Sequence, residues 1–337
     1  MIKVKNDIPL FLILLIGILA LFFANLMVGD VKMSIQEVAT ILGGGKVSND
    51  SWSYIVESRL FRSITAIFAG GALGVAGLIL QVYFKNPLAG PGVLGVTSGA
   101  SLGVAVVILG GLSMGTFLGN LGIVAAGILG ATFVLVLLLF LTKFIHNALT
   151  ILVIGLMFGY FTSGIINILY LAANSDDTRA YVLWGMGSFE GLTSFDLVFF
   201  VSTVLLVLLL SVLLVKPLNG LVAGNEYAAS LGINLKQTRT LIVLITGVLA
   251  AIVTVFCGPI SFIGIAVPQV MRMLIKSKNH LCILPLVFVG GSFLALVADL
   301  SVRLSSNLLP LNTVTALIGA PIICWIIIKM NRKNAQF

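Results

Sequence analysis

The chain has 337 residues, 59% of them hydrophobic and only 9% charged, with a mean hydropathy of +1.19. A soluble domain carries about 25% charged residues, so this composition excludes a soluble enzyme and assigns the chain to the membrane. The net charge of +8 would suit nucleic acid, but its placement between apolar segments reads as membrane orientation instead.

A membrane-crossing helix needs about 20 mostly apolar residues. Ten such segments are predicted: 8–29, 63–84, 92–112, 116–141, 148–172, 195–215, 240–257, 260–275, 282–303 and 311–329. The first follows Lys3 and Lys5, but its apolar run is too long for a signal peptide and no A-x-A site follows, so it reads as an anchor. Ser34-Ile-Gln-Glu37 reads as a capping box opening a short helix outside the spans. Gly43-Gly44-Gly45-Lys46 imitates a phosphate-binding loop, but Thr40 stands where a glycine is required and Val47 where a hydroxyl is required. The second span is introduced by Arg59-Leu-Phe-Arg62 and is rich in glycine, with Gly70-x-x-x-Gly74 suited to close helix approach. Gly115-x-x-x-Gly119 repeats that spacing.

Asn86–Gly103 is the most irregular stretch, with Pro87, Pro91 and five glycines at a span boundary. Such backbone survives at membrane depth only where it packs in protein or lines an aqueous cavity, which points to a transporter. Asp176–Trp184, after Asn174-Ser175, is predicted to be an amphipathic surface helix anchored by Trp184. Lys216–Arg239 is longer than a return loop needs. In it Asn225 is predicted to cap a helix over Glu226–Leu231 that stops at Gly232, and Asn234 to cap a second one reaching Arg239. A second glycine–proline break follows at Gly258-Pro259, and Pro268 lies in the eighth span.

With the N-terminus inside, ten spans put both termini in the cytoplasm. The inner segments then hold Lys3, Lys5, Lys85, Lys143, Lys216, Lys236, Arg239, Arg272, Lys276, Lys278, Lys329, Arg332 and Lys333, against Lys32, Lys46, Arg59, Arg62, Arg179 and Arg303 outside. That asymmetry is the positive-inside pattern. Spans two to five then start outside and spans seven to ten inside, so if the blocks are repeats they are inverted, as in many transporters.

Signals of catalysis are missing. The only histidines are His146 and His280, which excludes a His-based metal site or triad; Cys257, Cys282 and Cys324 lack metal-ligand spacing and read as free thiols. Apart from Asp196 at the very edge of its segment, Asp299 is the one carboxylate within a span, near its outer end, with Arg303 four residues on along the same helix face. An ion-coupled secondary carrier places carboxylates near the midplane, so this alternative is disfavoured. A merely structural or enzyme-anchoring subunit would leave the glycine–proline breaks unexplained. Arg59, Arg62 and Arg303 admit two readings: snorkelling to lipid phosphate or local pairing with Glu57 and Asp299 on one side, docking of an acidic partner by bidentate contacts on the other.

Together, Arg59-Leu-Phe-Arg62, Asn86-Pro-Leu-Ala-Gly-Pro-Gly92, Gly224-Asn-Glu-Tyr-Ala-Ala-Ser-Leu-Gly232, Gly258-Pro-Ile-Ser-Phe-Ile-Gly264, Val267-Pro268, Ala298-Asp299 and Thr315-Ala-Leu-Ile-Gly-Ala-Pro321 resemble the FecCD family, from about Ser34 to Lys329. Its members are permease subunits of bacterial ABC importers for iron–siderophore, heme and cobalamin. The resemblance implies an all-α integral membrane fold like the cobalamin-importer permease, one domain over 1–337 with ten transmembrane helices, and spans 2–5 and 7–10 as inverted repeats. It implies a homodimer in the inner membrane with the pathway on its two-fold axis, lined by the fifth and tenth spans. Two cytosolic ATPase subunits would hold ATP and magnesium, with no cofactor in this chain. It implies that Arg59, Arg62 and Arg303 dock an extracytoplasmic binding protein. The resemblance also implies that Asn86 and Leu88 form a cytoplasmic gate, with Asn147, Ala148 and Leu149 where a second one is expected, and that Gly224, Glu226, Ala229, Leu231 and Gly232 lie in a coupling segment over 217–238 that enters the ATPase. Phe61 departs from the usual proline between the two arginines, and Gln269 stands where many members have histidine. Siderophore-bound iron is the broadest substrate expectation, with heme, cobalamin and oxyanions such as molybdate behind it.

Overall fold

The computed structural model describes residues 8–29, 31, 33–45, 51–111, 117–145, 147–275, 277–306 and 308–334. Lys3, Lys5, Lys32, Lys46, Gly115, His146 and Lys276 lie outside the described residues. Fourteen α-helices run in order: α1 (Ile8–Met27), α2 (Ile35–Leu42), α3 (Ser51–Phe84), α4 (Val96–Ile108), α5 (Phe117–Leu141), α6 (Ala148–Ala172), α7 (Ser175–Gly185), α8 (Ser194–Ser211), α9 (Val215–Ala223), α10 (Asn225–Ser230), α11 (Leu235–Cys257), α12 (Ile263–Leu274), α13 (His280–Leu304) and α14 (Leu311–Asn334). Among the described residues eight helices are long and apolar enough to cross a membrane, and the shorter apolar helices α4 and α12 occupy the third and eighth predicted spans. The ten expected segments are therefore all helical, with two of them cut short by the glycine–proline breaks that precede them.

Burial separates a central group from a peripheral one. In α3, 83% of the apolar stretch is buried, against 11% in α1 and 17% in α6. Glycine makes the central crossings possible. Gly70 of α3 faces the Gly291 carbonyl of α13, and Gly77 of α3 faces the Gly264 carbonyl of α12; a Cβ at either position would run into backbone. Close helix approach of this kind replaces the hydrophobic driving force that lipid does not supply.

The two blocks show the exchange expected of an inverted repeat. Helix α4 packs on α5, α6 and α11, while α12 packs on α13, α14 and α3; α5 meets α11, α13 meets α3, and α3 meets α11. Each short helix thus follows a break and sits between its own block and the long first helix of the other.

Three boundaries differ from expectation. Helix α3 begins at Ser51 rather than at residue 63, so both Arg59 and Arg62 are helical, one turn apart. The predicted second short helix, Asn234 to Arg239, is instead the start of α11: Asn234 caps it by accepting from the Gln237 amide at 3.1 Å, but nothing ends it at Arg239. Asn225 is the first helical residue of α10 and makes no side-chain cap; Gly224, at φ 124°, takes the cap position. The stop at Gly232 stands, with φ 75°. Upstream, α8 passes through a tight turn at Val212–Leu214 into α9. Pro217 has no N–H to give the Leu213 carbonyl, which accounts for the broken ladder there.

The two short helices predicted outside the spans, α2 and α7, are both formed. Ser34 and Glu37 form the capping box, with the Ser34 amide and hydroxyl donating to Glu37 Oε2 at 2.7 and 2.8 Å. Asn174 caps α7, and Trp184 stacks on Tyr181 with ring centroids 5.7 Å apart.

Candidate functional site

Three regions carry the predicted site residues, at two opposite ends of the bundle. At one end the start of α3, the end of α13 and the Ser188–Gly191 loop converge. Asp299 is fully buried and bridges two guanidiniums, taking Arg62 Nε at 2.5 Å and Arg303 Nε at 3.0 Å. Arg62 also pairs through Nη1 with Glu190, whose side chain is 51% exposed. Arg303 Nη1 donates to the Asn25 carbonyl at 2.9 Å. Arg59 donates to the Leu26 and Val31 carbonyls at 2.8 and 2.7 Å, clamping the end of α1 to α3.

This arrangement places the three predicted arginines together. The three arginines are not a free surface: their exposures are 7%, 6% and 6%. They form the floor of a cleft of about 360 Å³ also walled by Tyr54, Ile55 and Glu190. Local pairing of Arg62 and Arg303 runs through Asp299, and Glu190 pairs with Arg62 as well. The Asp299–Arg303 pair within α13 is present as read, and Arg62 from α3 makes it a triad. No sequence rule joins Arg62 to Glu190, because the two are brought together only by packing.

At the other end the chain leaves α3 through Lys85, at φ 50°, and turns over Asn86–Gly95. Asn86 Oδ1 accepts from the Leu88 amide at 2.9 Å. Asn147 Oδ1 does the same for Leu149 at 2.9 Å and so caps α6 beside Ala148. Leu88 and Leu149 are 44% and 57% exposed, so each asparagine holds an apolar side chain outward from a helix end. Gly95, at φ 72°, starts α4 and lies against the Gly155 carbonyl of α6, a conformation and an approach that only glycine permits.

A buried amide pair missed by sequence reasoning pins this break. Gln269 of α12 donates to Gln81 Oε1 at 2.7 Å and to the Pro87 carbonyl at 3.2 Å, while Gln81 donates to the Ile265 carbonyl at 3.1 Å. The first block's break is thereby tied to the second block's short helix. The available signal was a glutamine in each of two otherwise apolar segments, since buried amides demand partners.

The segment between α8 and α11 forms the third region, at the same end as the break. Helix α10 packs on α9, with Ala228 buried, while Glu226, Ala229, Leu231 and Gly232 are exposed and Gly224 is half-buried. Tyr227 is also exposed at 53%. One face of a short helix is thus held by the protein and the other is presented outward.

Among the described residues there is no group of acids, histidines and cysteines that fits a metal ion. On the α7 side, a cleft of about 310 Å³ between α4 and α6 is lined by the hydroxyls of Thr97, Ser98, Ser101, Thr162 and Ser163. Tyr181 closes it and donates to the Ser101 carbonyl at 3.2 Å. Burial, and next the neighbouring Tyr170, push the Tyr181 phenol up, so it stays neutral.

Backbone breaks before short helices in an inverted repeat are an architecture of transport proteins. The profile of the FecCD transport family matches residues 15–329, and the chain belongs to that family. It is 30% identical over 328 residues to the hemin transport system permease protein HmuU of Yersinia pestis, covering 96% of each chain. It is 33% identical over 291 residues to the vitamin B12 import system permease protein BtuC of Salmonella typhi, covering 83% of this chain and 85% of that protein. Among solved structures it resembles a metal-chelate type ABC transporter in an inward-facing conformation, with a TM-score of 0.83, 27% identity and coverage of 95% and 99%.

Proposed function

We propose that this chain is the membrane-spanning permease subunit of a binding-protein-dependent ABC importer, carrying a metal chelate such as heme or siderophore-bound iron by alternating access. The observation that carries the reading is the pair of helix breaks, Lys85–Gly95 and Gly258–Phe262, each placed before a short helix and cross-tied through Gln81 and Gln269. Breaks of this kind at corresponding places in two inverted blocks mark a translocation path. Relatives named for hemin and vitamin B12 support a bulky chelate as cargo.

The energy source is a separate ATPase. The failed phosphate loop at Gly43–Lys46 leaves no nucleotide motif in this chain, and the exposed face of α10 supplies a surface for a cytosolic subunit. That face lies at the end holding Lys85, Lys143, Lys216, Lys236, Arg239, Arg272 and Lys278, which the positive-inside rule assigns to the cytoplasm of the inner membrane. A second copy of the chain completes the pathway. Helix α6 is only 17% buried in its apolar stretch and α14 only 28%, so their outer faces are open for the partner and the path between them. The arginine cleft is on the opposite end, where a binding protein's carboxylates would reach it from outside.

Replacing Glu226–Leu231 by a glycine–serine linker tests the reading. The permease should still fold, but its ATPase should no longer co-purify and ATP-driven uptake of labelled heme should stop. Uptake by the reconstituted permease alone, driven by a proton or sodium gradient, would overturn the assignment in favour of a secondary carrier.

A further inference from the structure

A second cavity, of about 510 Å³, opens at the end that bears α9 and α10. Its wall is made by the C-terminal turn of α3, by α9, by the end of α12 and by the start of α13. Lys85, Arg272 and Lys278 all line it, and none of its thirteen lining residues is an acid. Among the described residues the only salt bridges lie in the distant Arg62–Asp299 cluster, so these three cations have no ion-pair partner. Arg272 is half-buried there, and a cation partly removed from water without a counter-charge is costly.

The rest of the wall is ordered and largely committed. Asn219 of α9 accepts from the His280 amide at 2.9 Å, meets His280 Nδ1 at 2.7 Å, and donates to Asn279 Oδ1 at 2.9 Å. Asn279 in turn caps Leu281 at 3.0 Å. The first amides of α13 are therefore occupied, and an incoming anion would meet the three cationic side chains rather than the helix end. Val82, Pro87, Leu221, Ile275 and Ile283 give the same cavity an apolar side. Three uncompensated cations beside an apolar wall, at a span boundary, match an anion that carries a greasy tail.

We propose that this cavity is a phosphate-recognising site that takes the headgroup of an anionic phospholipid. Basic pockets between transmembrane helices recognise lipid phosphates in this way. A lipid seated there would bridge α9, which leads directly into α10, to the ends of α3 and α12. It would thereby brace the outward-facing helix of the third region against the pinned break at Pro87. Soluble phosphate presents the same oxygens without the tail, so the test separates the two sources.

The permease, purified in detergent, would be mixed with phosphatidylglycerol or phosphatidylcholine and weighed intact by mass spectrometry. Each basic residue near a membrane surface is worth about 1 kcal/mol toward an anionic lipid. The Lys85→Gln, Lys278→Gln double variant should therefore weaken phosphatidylglycerol retention by roughly 10-fold or more, with phosphatidylcholine unaffected. Arg272→Gln should do likewise, and the exposed lysine pair keeps the test open if that half-buried change harms folding. Lys143→Gln, an exposed cation at the same end but outside the cavity, should change nothing. Competition by millimolar inorganic phosphate, with the same dependence on the variants, would keep the anion site and reassign its source to soluble phosphate. No preference for phosphatidylglycerol and no phosphate binding would overturn the site and leave the cations as contacts for an acidic protein partner. Equal loss in Lys143→Gln would also overturn it, by showing a diffuse field instead.

Discussion

Replacing Asp299 by asparagine should be among the most damaging single changes in the chain. Asp299 is fully buried and holds Arg62 at 2.5 Å and Arg303 at 3.0 Å. At an effective dielectric of 20, each such pair is worth about 5–7 kcal/mol of gross attraction. Most of that is offset by taking the three charges out of water, so the triad contributes little net relative to a well-packed apolar one. Removing the anion alone is different: Arg303, 6% exposed and already lacking a hydrogen bond at Nη2, keeps its charge and loses its counter-ion. The expected cost is about 3–5 kcal/mol, softened at Arg62 because Glu190 remains. At about 2–4 °C per kcal/mol for a chain of this class of size, the melting temperature in detergent should fall by roughly 10 °C. The double variant Asp299→Leu with Arg303→Met should recover most of the loss, since it removes the stranded charge along with its partner. A fall under about 2 °C for Asp299→Asn, or no recovery in the double variant, would refute the claim that Asp299 neutralises both arginines.

Two other changes probe packing and charge separately. Gly77→Leu should abolish folding or cut its yield sharply, because the new side chain meets the Gly264 backbone, which cannot shift as a flexible side chain would; overpacking alone costs about 1–3 kcal/mol. Gly185→Leu, at the end of α7 where a Cβ meets open space, should elute as wild type in size-exclusion chromatography, and equal behaviour of the two would sink the close-crossing argument. The Glu37 carboxyl is held below its ordinary value by the backbone N–H of Ser34 and then by its hydroxyl. A depressed carboxylate stabilises above its unfolded pKa of about 4.3, and that contribution is lost as pH falls through the lower folded value. Protection from hydrogen exchange at the start of α2, taken relative to the free-chain rate at each pH, should therefore fall in acid, and Glu37→Gln should flatten that dependence; an unchanged acid profile in the variant would refute the capping account.

The parts of the fold legible in the sequence were those decided locally. Ten apolar segments, the Ser34–Glu37 capping box, the Asn174 and Asn234 caps and the Gly232 stop depend on neighbours within a few residues. What was not legible depends on distant ones. The stretch Ser51–Phe61 is too polar to read as part of a span, yet it is helical, and Arg59 anchors it through the Leu26 and Val31 carbonyls of the preceding segment. The same limit applies to the site. Arg59, Arg62 and Arg303 were singled out by type and position, but their burial follows from Asp299, Glu190 and the end of α1 arriving together. Gln81 and Gln269 are separated by 188 positions and reveal nothing until both are seen to need a partner.

The two short helices make the mechanical case against movement between the blocks. At 1.5 Å per residue, α4 with 13 residues and α12 with 12 are each only about 18–20 Å long, against a hydrocarbon core of about 30 Å. Their breaks therefore lie within the apolar depth, where unpaired backbone is intolerable. The first is covered by the opposite block, where Gln269 of α12 holds the Pro87 carbonyl; the second is covered by the Gly187 loop between α7 and α8, where the Ser188 amide donates to the Cys257 carbonyl at 2.9 Å. Separating either break from its cover would strand polar groups, so the breaks should travel with what pins them. Motion is then cheaper along sparsely packed outer faces, among them those of α6 and α14 with apolar stretches 17% and 28% buried, than across the glycine-tight crossings of α3 with α12 and α13. A pathway formed at the α6–α14 side needs no rupture of the central bundle, and this favours gating between two copies of the chain over opening a channel through one.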